Sequence, residues 1–367
     1  MKLTQYMTGL TAWLTQLTLV PMVPMVPVVP VVPVVPVVTL VSLVTLVTLV
    51  TLVTLVTLLT FAVPVAAQPY PAKPIKLIVD GPAGGINDIW ARRYAQRISE
   101  SMQQAIVVEN RPGASGTIAA EAVAKASPDG YTMFFGGMNP LVAFPGAGGV
   151  VRYDPAKDFV PIAVSTMGYP LFVVNSTLGI KSLADLVQRA KAKPDEFICG
   201  TSGQASVQQF ACVTAARALG IKMRTLPYKG GSAALMDAAS GQIQVSVGYT
   251  AELEPHTSQG RLLVLAAFAP NRMPKFPEAP SFAEAGYPGL ELPSFAGFFV
   301  PTGTPADVVQ RFNAEAIKAM QRPEMSDWVK ATGAYYVPFK PAEFADQVRK
   351  EQAKWKRMSE ETGIRVE

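Results

Sequence analysis

Residues 75–88 read IKLIVDGPAGGIND, and this stretch decides the fold class. Ile75–Val79 is a short apolar run of the kind that forms a buried strand, and residues 80–87 form a glycine-rich turn. Helical spacing of apolar residues follows over 88–102. A strand, a glycine-rich turn and a helix in this order indicate the first unit of an α/β fold.

The alternation of strand and helix continues and then starts again further along the chain. The predicted strands after residue 102 are 105–109, 131–135, 171–174, 197–199, 223–226, 242–247 and 262–267. The predicted helices are 117–126, 182–192, 207–219 and 232–240. Ser182 and Asp185 form a capping box at the start of one of them. We therefore predict two α/β units, each a mostly parallel sheet flanked by helices, with a ligand cleft between them.

The last third of the chain is predicted to be mostly helical. Thr304 is expected to cap a helix that has Pro305 at its first position and that runs to residue 321. A long amphipathic helix is predicted from residue 341 to residue 362. Because no long flexible linker follows Gln68, strands that cross between the two units would join them.

Composition excludes several classes of protein. The 367 residues are 49% hydrophobic and 16% charged, which argues against disorder and leaves room for two domains. A net charge of only +5 gives no reason to expect nucleic acid as a partner and suits a small anionic ligand. Two cysteines and one histidine exclude a zinc finger and a poly-His site, so neither a metal nor a cofactor is predicted. Cys199 and Cys212 are expected to be buried free thiols, and His256 a surface residue.

Residues 1–67 differ in composition from the rest of the chain. Lys2 is their only charged residue, and triplets of the PVV and then the TLV type run from residue 21 to residue 60. A period of three matches neither a helix face nor a strand face, so we interpret this array as a tandem expansion. Residues 38–67 are long and apolar enough to cross a bilayer, and they end in small residues that resemble a signal-peptidase site. A cleaved export signal is the favoured interpretation and an uncleaved membrane anchor is the alternative.

Three loops that lead from a predicted strand into a predicted helix are candidate ligand sites. They span residues 80–88, 200–206 and 226–232. Glycines allow a close approach of the backbone, and the amides at a helix start favour an anion such as a carboxylate. In a doubly wound sheet such loops gather at one edge. The first loop is equally compatible with an ordinary turn in which Asn87 or Asp88 caps a helix, and Ser206 of the second loop could serve as a cap alone. For the third loop an exposed Lys229 in a turn is the commoner case.

Several motifs occur here in the order that is known from one family. They are YPAKPIKLIV at 70–79, VVENRPGA at 107–114, AKASPDGYT at 124–132, YKGG at 228–231 and Gly303-Thr304-Pro305. With these motifs the sequence resembles the Bug family, also called tripartite tricarboxylate transporter (TctC-type) solute-binding proteins. The resemblance implies a two-domain fold of the type II periplasmic-binding-protein kind. Domain 1 would be residues 70–170 and 295–367, and domain 2 would be residues 171–294.

The resemblance also implies a function. The protein is expected to be a monomeric periplasmic receptor that closes over a small carboxylate and delivers it to a tripartite-type permease or to a sensor. Eleven residues correspond to the family's ligand contacts: Ala83, Gly84, Gly85, Ile86, Asn87, Asp88, Gly137, Asn139, Ser202, Gly203 and Ser206. Tyr228 and Gly248 from the second unit complete the set of candidate ligand-binding residues.

The chain departs from the family pattern inside these loops. Asp80-Gly81 stands where the family commonly has Pro-Phe, and Ile86-Asn87 stands where it often has glycine and threonine. Gln204-Ala205 replaces small residues in the second-domain loop, which would narrow the cleft. Gly248 occupies a position where amino-acid-binding members tend to carry an aspartate for the ammonium group, and this argues against an amino-acid ligand.

A periplasmic hydrolase or transferase that uses the Ser202 loop is the alternative function. Ser202 would need a base, and the only histidine is far away in the sequence. Since Gly203 directly follows Ser202, the loop is also not the G-x-S-x-G nucleophile elbow. We therefore predict a binding protein that is not an enzyme.

Overall fold

The computed structural model describes residues 35–60, 70–194 and 196–366. The chain divides into two compact units, Met1–Ala67 and Gln68–Glu367. In the first unit the structure describes one helix, α1 (Val35–Thr60). The proline-rich half of the triplet array up to residue 34 and the predicted cleavage site at 65–68 lie outside the described residues.

Helix α1 is long and apolar enough, over Thr39–Thr57, to cross a membrane. Its threonine hydroxyls bond within the helix, as Thr45 Oγ1 does when it donates to the Val41 carbonyl at 2.8 Å. Since three residues advance a helix by about 300°, the threonines wind around the axis and leave no separate polar face. The described part of the array thus forms a helix whose hydroxyls already have partners, as an apolar environment requires.

The second unit contains ten strands and ten helices among its described residues, together with short 3₁₀ and π turns. The strands are β1 (Ile75–Val79), β2 (Ile106–Asn110), β3 (Thr132–Gly137), β4 (Phe159–Gly168), β5 (Leu171–Asn175), β6 (Ile198–Thr201), β7 (Arg224–Pro227), β8 (Val245–Gly248), β9 (Leu262–Ala267) and β10 (Ser294–Pro301). The helices are α2 (Ile86–Met102), α3 (Thr117–Ala124), α4 (Phe144–Gly146), α5 (Leu183–Ala192), α6 (Val207–Ala218), α7 (Gly231–Ser240), α8 (Thr250–Thr257), α9 (Ala306–Gln321), α10 (Pro323–Ala331) and α11 (Pro341–Thr362).

Two five-stranded sheets organise this unit. The first sheet has the order β2-β1-β3-β10-β4 and the second has the order β7-β6-β8-β5-β9. We call each sheet with its flanking helices a lobe. The first sheet takes its strands from residues 75–168 and 294–301, and the second takes them from residues 171–267. The division into domains at residues 170 and 294 stays a prediction, which these strand positions favour.

Each sheet is mixed, which corrects the expectation of mostly parallel pairing. In the first sheet β1 pairs parallel with β2 and β3, whereas β10 pairs antiparallel with β3 and β4. In the second sheet β6 pairs parallel with β7 and β8, whereas β5 pairs antiparallel with β8 and β9. Strands β5 and β10 enter their sheets from the other lobe, so no crossover helix forces them to run parallel.

The predicted strands and helices between residues 75 and 267 are present, with small shifts at their ends. The sequence did not predict β4, β10, α4, α8 or α10. The expected cap at Thr304 is also wrong, because Pro305 is the N-cap of α9 and the Thr304 hydroxyl donates to the Pro301 carbonyl. Ser182 does cap α5 by accepting from the Asp185 amide, but the Asp185 carboxylate accepts from Lys181 instead of completing a capping box.

Helix α11 connects the two lobes at the end of the chain. It packs on β4 of the first lobe and contacts α6 of the second lobe. The Trp355 ring stands edge-on to Phe210, with 4.9 Å between ring centres, and both side chains are fully buried. The Arg217 guanidinium donates to the carbonyls of Glu361 and Thr362. The lobes are therefore joined by packed side chains as well as by the crossing strands.

Candidate ligand-binding site

Loops at the carboxyl ends of β1, β3, β6 and β8 lead directly into helices or helical turns and face a cleft between the lobes. This is the place where ligands bind in open α/β sheets, because the strand ends and helix starts gather there. The cleft contains two adjoining cavities. They share five lining residues, Asp80, Ile86, Asn87, Asn139 and Gln208.

The larger cavity has a volume of about 660 Å³, part of which is open to solvent, and its walls combine aromatic rings with polar side chains; we call it the aromatic cavity. Trp90 from α2, Tyr169, Tyr249 and Phe295 supply its rings. The other lining residues that are not shared are Gly137, Met138, Thr166, Gly168, Thr250, Ala251, Met273, Ser294, Ala296, Thr332 and Ala334. Such walls suit the uncharged part of a small ligand.

The smaller cavity has a volume of about 460 Å³, part of which is open to solvent, and we call it the glycine cavity. Backbone from both lobes surrounds it, since it is lined by Gly81, Pro82, Gly85, Gly113, Ser115, Gly116, Ser202, Lys229, Gly230, Gly231 and Glu252 besides the shared residues. Helix α7 begins at this cavity, with Gly230 as its N-cap. The first amides of a helix have no acceptor inside the helix, and Lys229 adds a positive charge.

Asp80 lies at the carboxyl end of β1 and lines both cavities. Its carboxylate accepts a hydrogen bond from the Asn87 amide at 2.5 Å. Burial raises the pKa of Asp80 to about 6, while hydrogen bonds from Asn87 and from the Gly137 backbone act in the opposite direction. Asp80, which stands at a position that is commonly apolar in the family, therefore has a carboxyl group whose charge can change close to neutral pH.

Glu252 is the second buried acid of the cleft and is only 6% exposed. It belongs to the first turn of α8, and its carboxylate accepts from the Tyr249 amide at 3.4 Å. The same carboxylate accepts from the Ile86 amide at 2.9 Å, at the start of α2 in the other lobe. Burial raises the pKa of Glu252 to about 7 against the effect of these two hydrogen bonds.

Further hydrogen bonds cross the cleft and describe a closed arrangement of the lobes. The Ser115 hydroxyl donates to the Gln204 carbonyl at 2.6 Å. The Asn139 side chain donates to the Ser202 hydroxyl at 3.2 Å and accepts from the Val207 amide at 2.9 Å. These contacts place loops from both lobes around one enclosed space.

The structure brings some of the predicted site residues together. Gly85, Ile86, Asn87, Gly137, Asn139 and Ser202 line the cavities. Ala83, Gly84, Asp88, Gly203, Ser206, Tyr228 and Gly248 lie outside both cavities. Asp88 bonds to Arg92 and Asn110, Ser206 caps α6, and Tyr228 donates to Asp237. Contact of any of these residues with a ligand stays a prediction.

Several cavity residues were not found by sequence reasoning. Tyr249, Thr250 and Glu252 follow β8 in the same way as the predicted loops follow their strands, but α8 was not recognised because Pro255 interrupts its pattern. Phe295 and Ala296 belong to β10, in a stretch between residues 268 and 303 for which no strand or helix was predicted. The rule that strand ends gather at one edge would have found α8 if its helix had been recognised.

Ser202 has no base beside it. Its hydroxyl donates to the Gln208 side chain at 2.6 Å. His256 lies in the last turn of α8, between β8 and β9, is half-buried instead of exposed, and lines neither cavity. Burial lowers the pKa of His256. The arrangement therefore suits binding and offers no nucleophile with a base.

The expectation of two free thiols is wrong. Cys199 of β6 and Cys212 of α6 form a disulfide, with their Cα atoms 6.2 Å apart. Helix α6 packs on β6, and this brings the two positions within the distance that a disulfide spans. The bond joins the strand and the helix on either side of the Ser202 loop, and such bonds are typical of proteins outside the cytoplasm.

Two lobes with mixed sheets, crossing strands and a closed cleft define a solute-binding receptor of the periplasmic-binding-protein class. Residues 90–364 match the sequence model of the tripartite tricarboxylate transporter family receptor, TctC. The chain belongs to this family of periplasmic receptors and is not an enzyme. The resemblance and the two-lobe α/β fold class inferred from the sequence are therefore confirmed, apart from the mostly parallel pairing corrected above.

Three related proteins illustrate the match. BugT of Bordetella pertussis is 29% identical over 83% of this chain and 94% of its own. Rpa4515 of R. palustris, solved with adipate, is 30% identical with a TM-score of 0.78, over 81% of this chain and 99% of its own. MatC (Rpa3494) from Rhodopseudomonas palustris, solved with bound malate, is 27% identical with a TM-score of 0.75, over 79% of this chain and all of its own.

Proposed function

We propose that this receptor captures a small carboxylate in its cleft. The observation that carries the proposal is the glycine cavity, where backbone from both lobes, the start of α7 and Lys229 converge. An anion there would meet helix amides and a positive charge. The adipate and malate bound in two relatives support a ligand of this chemistry.

The aromatic cavity would hold the body of the same ligand. It adjoins the glycine cavity through Ile86, Asn87 and Gln208. Its walls of Trp90, Tyr169 and other rings favour a hydrocarbon or aromatic body over a strongly hydrated one. The ligand is thus an organic acid with its carboxylate among the glycines and its carbon skeleton against the rings.

Closure of the two lobes over the ligand would couple ligand capture to transport. A ligand that contacts both lobes binds the closed form better than the open form and shifts the population towards it. We propose that the closed monomer then delivers its ligand to a membrane permease of the tripartite tricarboxylate type or to a sensor. Helix α1 fits either a cleaved export signal or a tether that keeps the receptor at the periplasmic face of the membrane.

Isothermal titration calorimetry on the full chain in a mild detergent tests the proposal. The panel contains mono-, di- and tricarboxylates, aromatic acids, amino acids and neutral sugars. We expect one class of carboxylates to bind and Lys229→Met to weaken that binding about tenfold. Lys222→Met, which removes an exposed lysine outside both cavities, is the matched control and should leave affinity unchanged. Folded, ligand-free protein that binds no acid would contradict carboxylate capture.

A further inference from the structure

The hydroxyl of Thr250 has no hydrogen-bond partner within the described part of the chain, although Thr250 is only 3% exposed. Buried hydroxyl groups are nearly always paired, because an unpaired one loses its bonds to water without replacement. Thr250 lines the aromatic cavity. The hydroxyl itself has almost no accessible surface, so a rotation of the Thr250 side chain would bring it into that cavity, where a ligand would supply the missing partner.

Thr250 is also the first residue of α8, so the backbone amides around it have no acceptor within the helix. The positive end of this helix is already neutralised, however. Glu252 lies in the first turn and its carboxylate accepts from the Tyr249 amide. This end of the cavity therefore offers hydrogen-bond donors with little net positive charge.

The remaining walls of the aromatic cavity offer, in the part of the chain that the structure describes, no positive charge to balance a second carboxylate of the ligand. Among the described residues that line it, Asp80 alone is charged, and it is acidic. A carboxylate placed at Thr250 would lie in a partly buried space near two acids and without a cation. An amide or a hydroxyl can bond to Thr250 without this penalty, since it carries no charge.

We propose that Thr250 recognises an uncharged hydrogen-bonding group, an amide or a hydroxyl, at the end of the ligand opposite its carboxylate. This inference rests on the proposed capture of a carboxylate in the glycine cavity and specifies the class of ligand further. The preferred ligands are monocarboxylates with a polar, uncharged far end. The chain would thus differ in preference from relatives that hold a dicarboxylate such as adipate.

Matched ligands test the assignment by titration calorimetry at pH 8 on the full chain in detergent. Each set contains a linear dicarboxylate, its half-amide and the monocarboxylate of equal length, from succinate and succinamate to suberate and suberamate. The half-amide of the best-fitting length is expected to bind at least ten times more tightly than the other two members of its set.

Variants separate a ligand contact from a structural role. Thr250→Val keeps the side-chain shape and should abolish the preference for the half-amide, whereas Thr250→Ser should retain it. Thr332→Val is the matched control, because Thr332 lines the same cavity but its hydroxyl already donates to the Val329 carbonyl at 2.7 Å. That variant should keep the preference.

The outcomes distinguish this inference from the function on which it rests. A dicarboxylate or a plain monocarboxylate that binds as tightly as the half-amide overturns the role of Thr250 and leaves carboxylate capture standing. A preference that survives in Thr250→Val overturns it as well. If folded protein binds no acid of any set, the carboxylate proposal fails and the inference fails with it.

Discussion

The backbone amide of Ile86 donates a 2.9 Å hydrogen bond to the carboxylate of Glu252, which lies 166 residues away in the sequence and in the other lobe. Glu252 also accepts from Tyr249, so one carboxylate lies at the amino-terminal ends of both α2 and α8. Burial nevertheless raises the pKa of this group to about 7. The contact between the lobes therefore involves a group whose charge changes near neutral pH.

The first prediction concerns stability and pH. The pKa of Glu252 is higher in the folded chain than the usual 4.5, so its contribution is fully present below about pH 4.5 and is lost as the pH rises through about 7. We expect Glu252→Gln to reduce the loss of unfolding free energy between pH 5 and pH 8 by on the order of 2 kcal/mol. Urea denaturation at both pH values measures it.

Glu278→Gln provides the control for that series, because Glu278 is an exposed acid outside the cleft. Its variant should follow the pH dependence of the wild type. An equal loss of stability from pH 5 to pH 8 in the wild type and in Glu252→Gln would show that Glu252 does not titrate in this range.

A second prediction concerns Asp80, whose pKa is raised to about 6 and which lines both cavities. Glu252 and Lys229 are the other charged groups that line the glycine cavity. A bound carboxylate would raise the pKa values of both acids further, so binding should take up protons. Affinity is expected to fall several-fold from pH 6 to pH 8, while a typical ligand carboxylate stays ionised throughout.

Asp80→Asn removes one of the two acids. It should bind carboxylates more tightly than the wild type at pH 8 and should show a weaker pH dependence. Calorimetry in two buffers with different ionisation enthalpies measures the proton uptake directly. Binding without proton uptake and with constant affinity from pH 6 to pH 8 would exclude this role for Asp80.

The stretch from Ile75 to Asp88 was predictable because its signals are local. An apolar run, a cluster of glycines and helical spacing each specify an element within a few residues. Strand β10 is different. Ser294–Pro301 inserts between β3 and β4, which lie far away in the sequence, and nothing within those eight residues specifies these partners.

The binding site also has features that local sequence specifies and features that depend on distant parts of the chain. Its glycine loops were found from spacing, and they lie at the cleft. The pairing of Ile86 with Glu252 depends on how two lobes close, and the unpaired hydroxyl of Thr250 depends on everything that surrounds it. Such features arise from tertiary packing, so only the structure could reveal them.

A third prediction tests the close approach of the lobes at Gly230. Its φ is +123°, and a Cβ there would lie 2.5 Å from Pro82 of the other lobe. Gly230→Ala should therefore hinder closure, weaken ligand binding at least tenfold and increase the radius of gyration measured by X-ray scattering. In the control Gly260→Ala, a Cβ meets nothing within 4 Å. That variant should lose about 1–2 kcal/mol through its positive φ alone and keep its affinity.

The last prediction concerns the disulfide between Cys199 and Cys212, which spans a sequence separation of 13 and encloses the Ser202 loop. A bond across a loop of this length stabilises a protein by about 2–3 kcal/mol, mainly by restricting the unfolded chain. Replacing both cysteines with alanine should lower the free energy of unfolding by that amount, as should reduction of the wild type. The alanine variant should not respond to reductant.

Because the bond also holds β6 and α6 together on either side of Ser202, ligand affinity should fall modestly in the same variant. Wild-type stability that does not change on complete reduction would show that the bond contributes nothing to the fold.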